Sequence, residues 1–403
     1  MRECFSCHAR SVAILRDYGP HPVCNRYLVT VDLPEFTQPM VIGQCGSCGL
    51  VQVLDPVPAA ELVPPVNWIT YNEPEGHLDA VAETLASLPG LKPDAVCAGV
   101  SFKDDTLLAR LQRRGFTTWR LEMDCDLGIT KDGCGVESIQ ARLNAPKANA
   151  ITARRGRADL VIARHILEHA HDLQGFMTAV RALAKPGGYV VFEVPDCTLA
   201  FDLKDITTLW EEHTVYFTPT TFQRTIAGSD AQLVDFKLHP YPFENCLVGV
   251  IRLEAGEVPT AISNDALAVE RGRARAFTDS FEARRTELQR WLGDFRARHG
   301  KIAVLGAGHL ACTWIHLFGL RDFIEFLADD NPNKQSLFLP GARLPIRGTV
   351  QLLADDIKLC LLAVNPEAEP KVIARNREFV ERGGRIASIF PASPNALVIA
   401  QPT

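Results

Sequence analysis

The sequence predicts an α/β chain with two doubly wound parallel sheets behind a small cysteine-rich segment. Three observations carry this. Apolar strand-like runs alternate with helical patterns over residues 67–255, as in "DAVCAGV", "DLVIARHILEH" and "GGYVVFEVPD". The alternation restarts over the last hundred residues with "KIAVLGAG", "FIEFLADD", "KLCLLAV" and "GGRIASIF". Ahead of both lie two C-x-x-C pairs, at Cys4–Cys7 and Cys45–Cys48. With 403 residues the chain exceeds one ordinary core, and four segments are expected: 1–62, 63–255, 256–298 and 299–403.

Composition narrows the function classes. Apolar residues at 47% and charged residues at 22% describe a globular protein rather than a disordered one. A net charge of -6 argues against nucleic acid as the main partner. No apolar run is long enough to span a bilayer, and "MRECFSCHAR" has no signal-peptide core, so a cytoplasmic location is expected. Thiols stay reduced there, and the 12 cysteines then read as ligands or small buried hydrophobes.

Each C-x-x-C presents two thiolates to one metal from a tight turn. Cys4, Cys7, Cys45 and Cys48 complete a tetrahedron for Zn2+ with no open position, which makes the expected site structural. His8 and Cys24 are the candidate substitutes for one ligand. A proline-rich linker, "DPVPAAELVPPV", follows.

The central segment opens with strand, loop and helix in "DAVCAGVSFKDDTLLARLQRRGF", the helix capped by Asp104 or Asp105. Its loop supplies Gly99, Ser101, Lys103 and Asp104. The next strand, "TTWRLEMD", ends in Glu122, where a doubly wound sheet can hold a ribose diol. A third strand runs into Arg164 and His165, with His169 just beyond, and "KPGG" turns the chain into the strand holding Glu193 and Asp196. The stretch "LWEEHTVYFT" then sets Glu211 and Glu212 directly before His213, with Tyr216 three residues on. Its plain alternative is a buried polar corner.

Between 260 and 298 a charged helical pattern carries apolar residues at Leu267, Phe277, Phe281, Leu288, Trp291, Leu292 and Phe295. Acids interleave with its arginines, as on a solvated face. "KIAVLGAGHLA" then places Gly306-x-Gly308-x-x-Ala311 between strand and helix. Asp329 lies about twenty residues on, the spacing of a dinucleotide fingerprint.

The order of the central elements, with "LEH" and "LAKPGGYVVFEVPD", resembles a class I S-adenosylmethionine methyltransferase. Over nearly the whole chain the sequence resembles the nucleotide-sugar C-methyltransferases of deoxysugar pathways. The pieces are "CFSC…NRYL…QCGSCGLVQV", the central domain, and "DDNPNKQSLFLPGARLPI" in a C-terminal Rossmann-like domain. The resemblance implies S-adenosylmethionine as cofactor, held by Gly99, Ser101, Lys103, Asp104, Glu122, Arg164 and His165, and a structural zinc. It implies a nucleotide-sugar substrate met by Glu193, Asp196, Gly306, Gly308, His309, Asp329 and Lys334, in a monomer or homodimer. It also implies His213 as base, with Glu212, Glu211, Tyr216, His169 and Tyr71 around it.

Two departures stand out. Trp210 occupies a position where the family has a tyrosine, and "GAGHLACT" lacks the family's lysine-glycine pair. Only one glycine, Gly99, remains in the cofactor loop, and Cys97 replaces an acid. The residues therefore leave three other readings open. These are an O- or N-methyltransferase, an NAD-using enzyme acting through the C-terminal glycine loop, and a binding protein with a decayed cofactor site. For the first-named reaction the chemistry is definite: a sugar carbon becomes nucleophilic as an enolate beside a ketone. A histidine titrates in the range such a base needs.

Overall fold

A computed structural model describes residues 2–63, 65–66, 73–130, 135–254 and 262–399. The chain packs into two compact units: 1–14, 43–198 and 212–271 form one, and 15–42, 199–211 and 272–403 the other.

The first unit is built on a six-stranded sheet in the order Thr117–Arg120, Val96–Gly99, Ala158–Arg164, Ala184–Asp196, Asn245–Arg252, Gln232–His239. Four strands run parallel and the last two antiparallel. The parallel strands read as near-continuous apolar runs because both faces are covered. Leu107, Leu108 and Leu111 of the helix Asp105–Gln112 pack with Leu160, Ile162 and Val191 of the sheet on one of them. Gly249 is required where the antiparallel strand Asn245–Arg252 meets the helix Pro219–Ile226: a Cβ there would lie 2.3 Å from Ile226 Cδ1.

The helix Asp105–Gln112 begins differently from the sequence expectation. Ser101 caps a short 3-10 turn, Phe102–Asp104, that leads into it, and Asp104 has no cap bond of its own to that helix. The Asp104 carboxylate instead folds back on the loop, because three backbone N–H groups converge on it. The second strand also stops at Arg120, two residues short of Glu122.

The second unit holds a five-stranded, all-parallel sheet, Ile346–Arg347, Leu327–Ala328, Lys301–Leu305, Ile357–Leu362, Arg385–Ser388. The expected amphipathic segment forms two helices, Asn264–Asp279 and Phe281–Arg298. The second buries Phe281, Leu288, Leu292 and Phe295. Among the described residues no helix is long and apolar enough to cross a membrane.

Candidate active site and metal centre

The two knuckles meet. Cys4 and Cys48 Sγ are 3.5 Å apart, Cys7 and Cys45 Sγ 3.6 Å, and all four lie within 4.8 Å of one another. Four sulfurs at about 2.3 Å from one zinc are about 3.8 Å from each other, so this donor set fits the ion. Each knuckle turns through a left-handed residue directly after its second cysteine, His8 at φ 58° and Gly49 at φ 81°. Ser47 N–H and Ser11 Oγ approach Cys45 Sγ at 3.3 and 3.4 Å, as donors to a thiolate would. The two candidate substitutes are engaged elsewhere: the His8 ring meets Glu3 at 2.9 Å, and Cys24 belongs to the second unit.

The segment from Glu212 to Thr218 is laid over the end of the strand Ala158–Arg164. Thr214 N donates to Glu168 O at 2.8 Å and its hydroxyl to Ala170 O at 2.8 Å, while Val215–Tyr216 pairs with Val51–Gln52. The result sets the His213 ring edge-on to His169, centroids 4.7 Å apart and planes at 89°. Tyr216 is buried with its ring 6.2 Å from that of His213. His169 Nδ1 lies 3.1 Å from Glu137 Oε1, and the Glu212 carboxyl acts on Glu137 as well. Burial pushes the Glu137 carboxyl up, but His169 and Glu212 outweigh it and hold it below its ordinary value. Sequence reasoning missed Glu137. It opens a short helix, Val136–Arg142, far from both partners in the chain, and no motif marks it.

His165 sits at φ 47°, a left-handed turn at a strand end that costs a histidine on the order of 1 kcal/mol. That turn brings its Nε2 to 3.0 Å from Glu193 Oε1. Glu193 also takes both arms of the buried Arg164, at 2.8 and 3.0 Å, and His77 Nε2 lies 3.3 Å away. Burial opposes the Glu193 charge, but Arg164, His165 and His77 keep it well below the carboxylate range. Burial likewise opposes the His165 cation, and Glu73, Cys246, Glu168 and Glu193 overcome this to hold it well above its usual value. His165 Nδ1 is 3.7 Å from Glu73, which pairs with Lys103 Nζ at 2.5 Å. Against burial, these two cations pull Glu73 down to about 2. Glu244, crowded by burial and by the charges of Glu73, Glu168 and Asp196, is pushed up to about 8. Asp196 anchors a turn, accepting from Thr198 N and Asn245 Nδ2.

In the cofactor loop Asp104 is buried and accepts from Val100 N at 2.7 Å, Ser101 N at 2.8 Å and Arg164 N at 2.9 Å. Burial raises it to about 7 despite these donors. A Cβ on Gly99 would lie 2.7 Å from Leu108 and 3.0 Å from Asp104. The loop amides are thus satisfied within the chain. Glu122 differs: its side chain is 56% exposed at the strand end, paired with Arg155 at 2.8 Å, and open to a diol. Tyr71 lies outside the described residues.

In the second unit Glu211 accepts from Cys24 N at 2.6 Å and Cys24 Sγ at 3.1 Å. Trp210 stacks on His309 with centroids 4.2 Å apart. Asp329 holds the glycine loop: Oδ2 accepts from Ala307 N and Lys334 Nζ, each at 3.0 Å. Gly306, at φ 105°, cannot be replaced without strain, and its Cβ would meet Ala363 O at 2.7 Å. Gly308 has open space where a Cβ would stand.

Residues 111–235 match the methyltransferase domain family, and residues 264–391 match the C-methyltransferase C-terminal domain family. The chain is 28% identical to the C-methyltransferase NovU of Streptomyces niveus over 287 residues, which is 68% of this chain and 67% of that one. By these matches the chain is a methyltransferase. Among solved structures it is similar to 1,6-didemethyltoxoflavin-N1-methyltransferase of Burkholderia thailandensis, at 13% identity, 44% of this chain and 77% of that one, TM-score 0.28. It is also similar to magnesium protoporphyrin IX methyltransferase of Synechocystis PCC 6803, at 14% identity, 43% and 80% coverage, TM-score 0.30.

Proposed function

We propose that the methyltransferase methylates carbon in a nucleotide-linked keto-deoxysugar, with His213 removing the proton next to the ketone. One observation carries this: a buried pair of imidazoles, His169 and His213, set edge to face, with the carboxylates of Glu137 and Glu168 beside them and Glu212 acting on Glu137. Carbon needs deprotonation before it can accept a methyl group, whereas oxygen and nitrogen acceptors ask less of a base. S-adenosylmethionine supplies the electrophilic methyl when bound. Glu122 would hold its ribose, and Lys103 with Glu73 carry the charges that match its carboxylate and ammonium. Glu137 fixes His169 and Glu212, and the burial of His213 and His169 keeps water from competing with the ring for the abstracted proton. In the second unit Trp210 is accounted for by its stack on His309. The Gly306 loop, with its nearby acid spent on Ala307 N and Lys334, suits a diphosphate contact better than a dinucleotide ribose. The four cysteines would hold zinc as a folding element.

The test combines binding and exchange. S-adenosylhomocysteine should bind calorimetrically and NADH should not. A panel of nucleoside-diphosphate-linked 4-keto-6-deoxyhexoses should exchange the proton beside the ketone for solvent deuterium, and His213→Ala should abolish both exchange and methylation. Exchange that survives the substitution moves the base elsewhere.

A further inference from the structure

Glu122, the candidate ribose acid, stands two residues beyond the strand Thr117–Arg120 with 56% of its side chain exposed. A glutamate so placed turns freely about its torsions and loses that rotamer entropy on meeting a ligand. Its neighbours remove the freedom beforehand. Asp126, whose side chain is fully buried, accepts from Glu122 N with Oδ2 at 2.8 Å, and Asp126 N donates to Glu122 O at 2.9 Å. Arg154 and Arg155, the last two residues of the helix Ala145–Arg155, close on the same turn, where the helix dipole favours a cation. Arg154 Nη2 donates to Asp126 Oδ1 at 2.6 Å. Arg155 Nη2 lies 3.0 Å from Asp126 Oδ2 and 2.8 Å from Glu122 Oε1. The Arg155 guanidinium also sits over the Trp119 ring, 5.3 Å from its centroid.

Asp126 does not need Arg155 to balance its own charge, since Arg154 and the Glu122 amide already meet it. An ion pair with one member as exposed as Glu122 adds little to stability. What Arg155 adds is position. It takes one Glu122 oxygen and leaves the other to accept from a ligand hydroxyl, while the contact with Trp119 steadies the guanidinium. Without it the carboxylate would face Asp124 uncompensated, because the ligand atoms of Glu122, Asp124 and Cys125 lie within 4.8 Å of one another. Like charges that close push apart, and Glu122 would swing into solvent. We propose that Arg155 is a positioning residue for the cofactor's ribose, holding the Glu122 carboxylate where a vicinal diol can donate to it. The proposal rests on Glu122 as the ribose acid.

The test is calorimetric, on the full chain, with S-adenosylhomocysteine and its analogue lacking both ribose hydroxyls. The quantity read is the ratio of the two dissociation constants. In the wild type the analogue should bind about tenfold or more weakly, since hydrogen bonds to a charged acceptor are lost. Arg155→Gln should bind S-adenosylhomocysteine about three- to tenfold more weakly and the analogue as the wild type does, which brings the ratio down by the same factor. Arg155→Lys keeps a charge without the fork and should fall between the two. A merely structural role would weaken both ligands alike and leave the ratio where it was. The melting temperature of Arg155→Gln should stay near that of the wild type, because Arg154 keeps Asp126 paired. A wild-type ratio in a folded Arg155→Gln, beside a collapsed ratio in Glu122→Ala, would overturn the role of Arg155. A wild-type ratio in Glu122→Ala would instead put the ribose elsewhere and remove the premise.

Discussion

At the scale of single residues the site is organised by buried carboxylates that each face more than one partner. Glu137 is the clearest case, since it is buried and serves His169 and Glu212 together. Glu137→Leu removes a buried polar group that faces His169 and Glu212 and should cost about 2–4 kcal/mol in urea unfolding, whereas Glu137→Gln keeps a polar group there and should cost less. The Glu73–His165 pair sets a pH window. Glu73 falls from 4.5 unfolded to about 2 folded, so its contribution is present above about pH 4.5 and is lost as pH falls toward 2. His165 rises well above 6.5, so its contribution is complete below that pH and is lost as pH climbs through the raised value. The pair is at full strength between those limits. The difference in melting temperature between wild type and Glu73→Gln should peak there and shrink on both sides, which thermal unfolding across pH 3–9 checks.

At the scale of elements, turns and knuckles were the most legible parts, because their chemistry is local. The C-x-x-C spacing places two sulfurs on one turn whatever the rest of the chain does. One zinc per chain should appear by elemental analysis, and Cys45→Ser should lose it and lower the melting temperature. The glycine loop of the second unit reads equally well, and Gly306→Ala should destabilise by about 2 kcal/mol or more, through a positive φ and a backbone clash, as read from denaturant midpoints. Loop acids were harder to read. Asp104 and Asp329 both stand where a ligand contact is expected, yet Asp104 folds back onto its own loop and Asp329 onto the neighbouring glycine loop. Spacing shows that an acid is near a loop and not whether its oxygens face out or in. That depends on which amides are left over when the loop closes.

At the scale of the whole molecule, the cofactor decides the balance of states. S-adenosylhomocysteine at a hundredfold its Kd should stabilise the fold by about 2.7 kcal/mol, and NADH at equal concentration should leave the transition where it is. Scanning calorimetry separates the two. The α/β class followed from alternating apolar runs, since a sheet covered on both faces demands them, whereas strand order came only from the structure. The amino-acid sequence by itself determined the two α/β sheets, the thiolate cluster and the pairing of Glu212 with His213 in one stretch. Only the tertiary structure decided that Glu211 turns to Cys24 while Glu212 meets Glu137. It alone brought His77, Glu137, His165, Glu168 and Glu193 into one buried array. Those residues come from four separate places in the chain, His165 and Glu168 being three residues apart, and their convergence is set by sheet register and the backbone turn at His165, which no local spacing encodes.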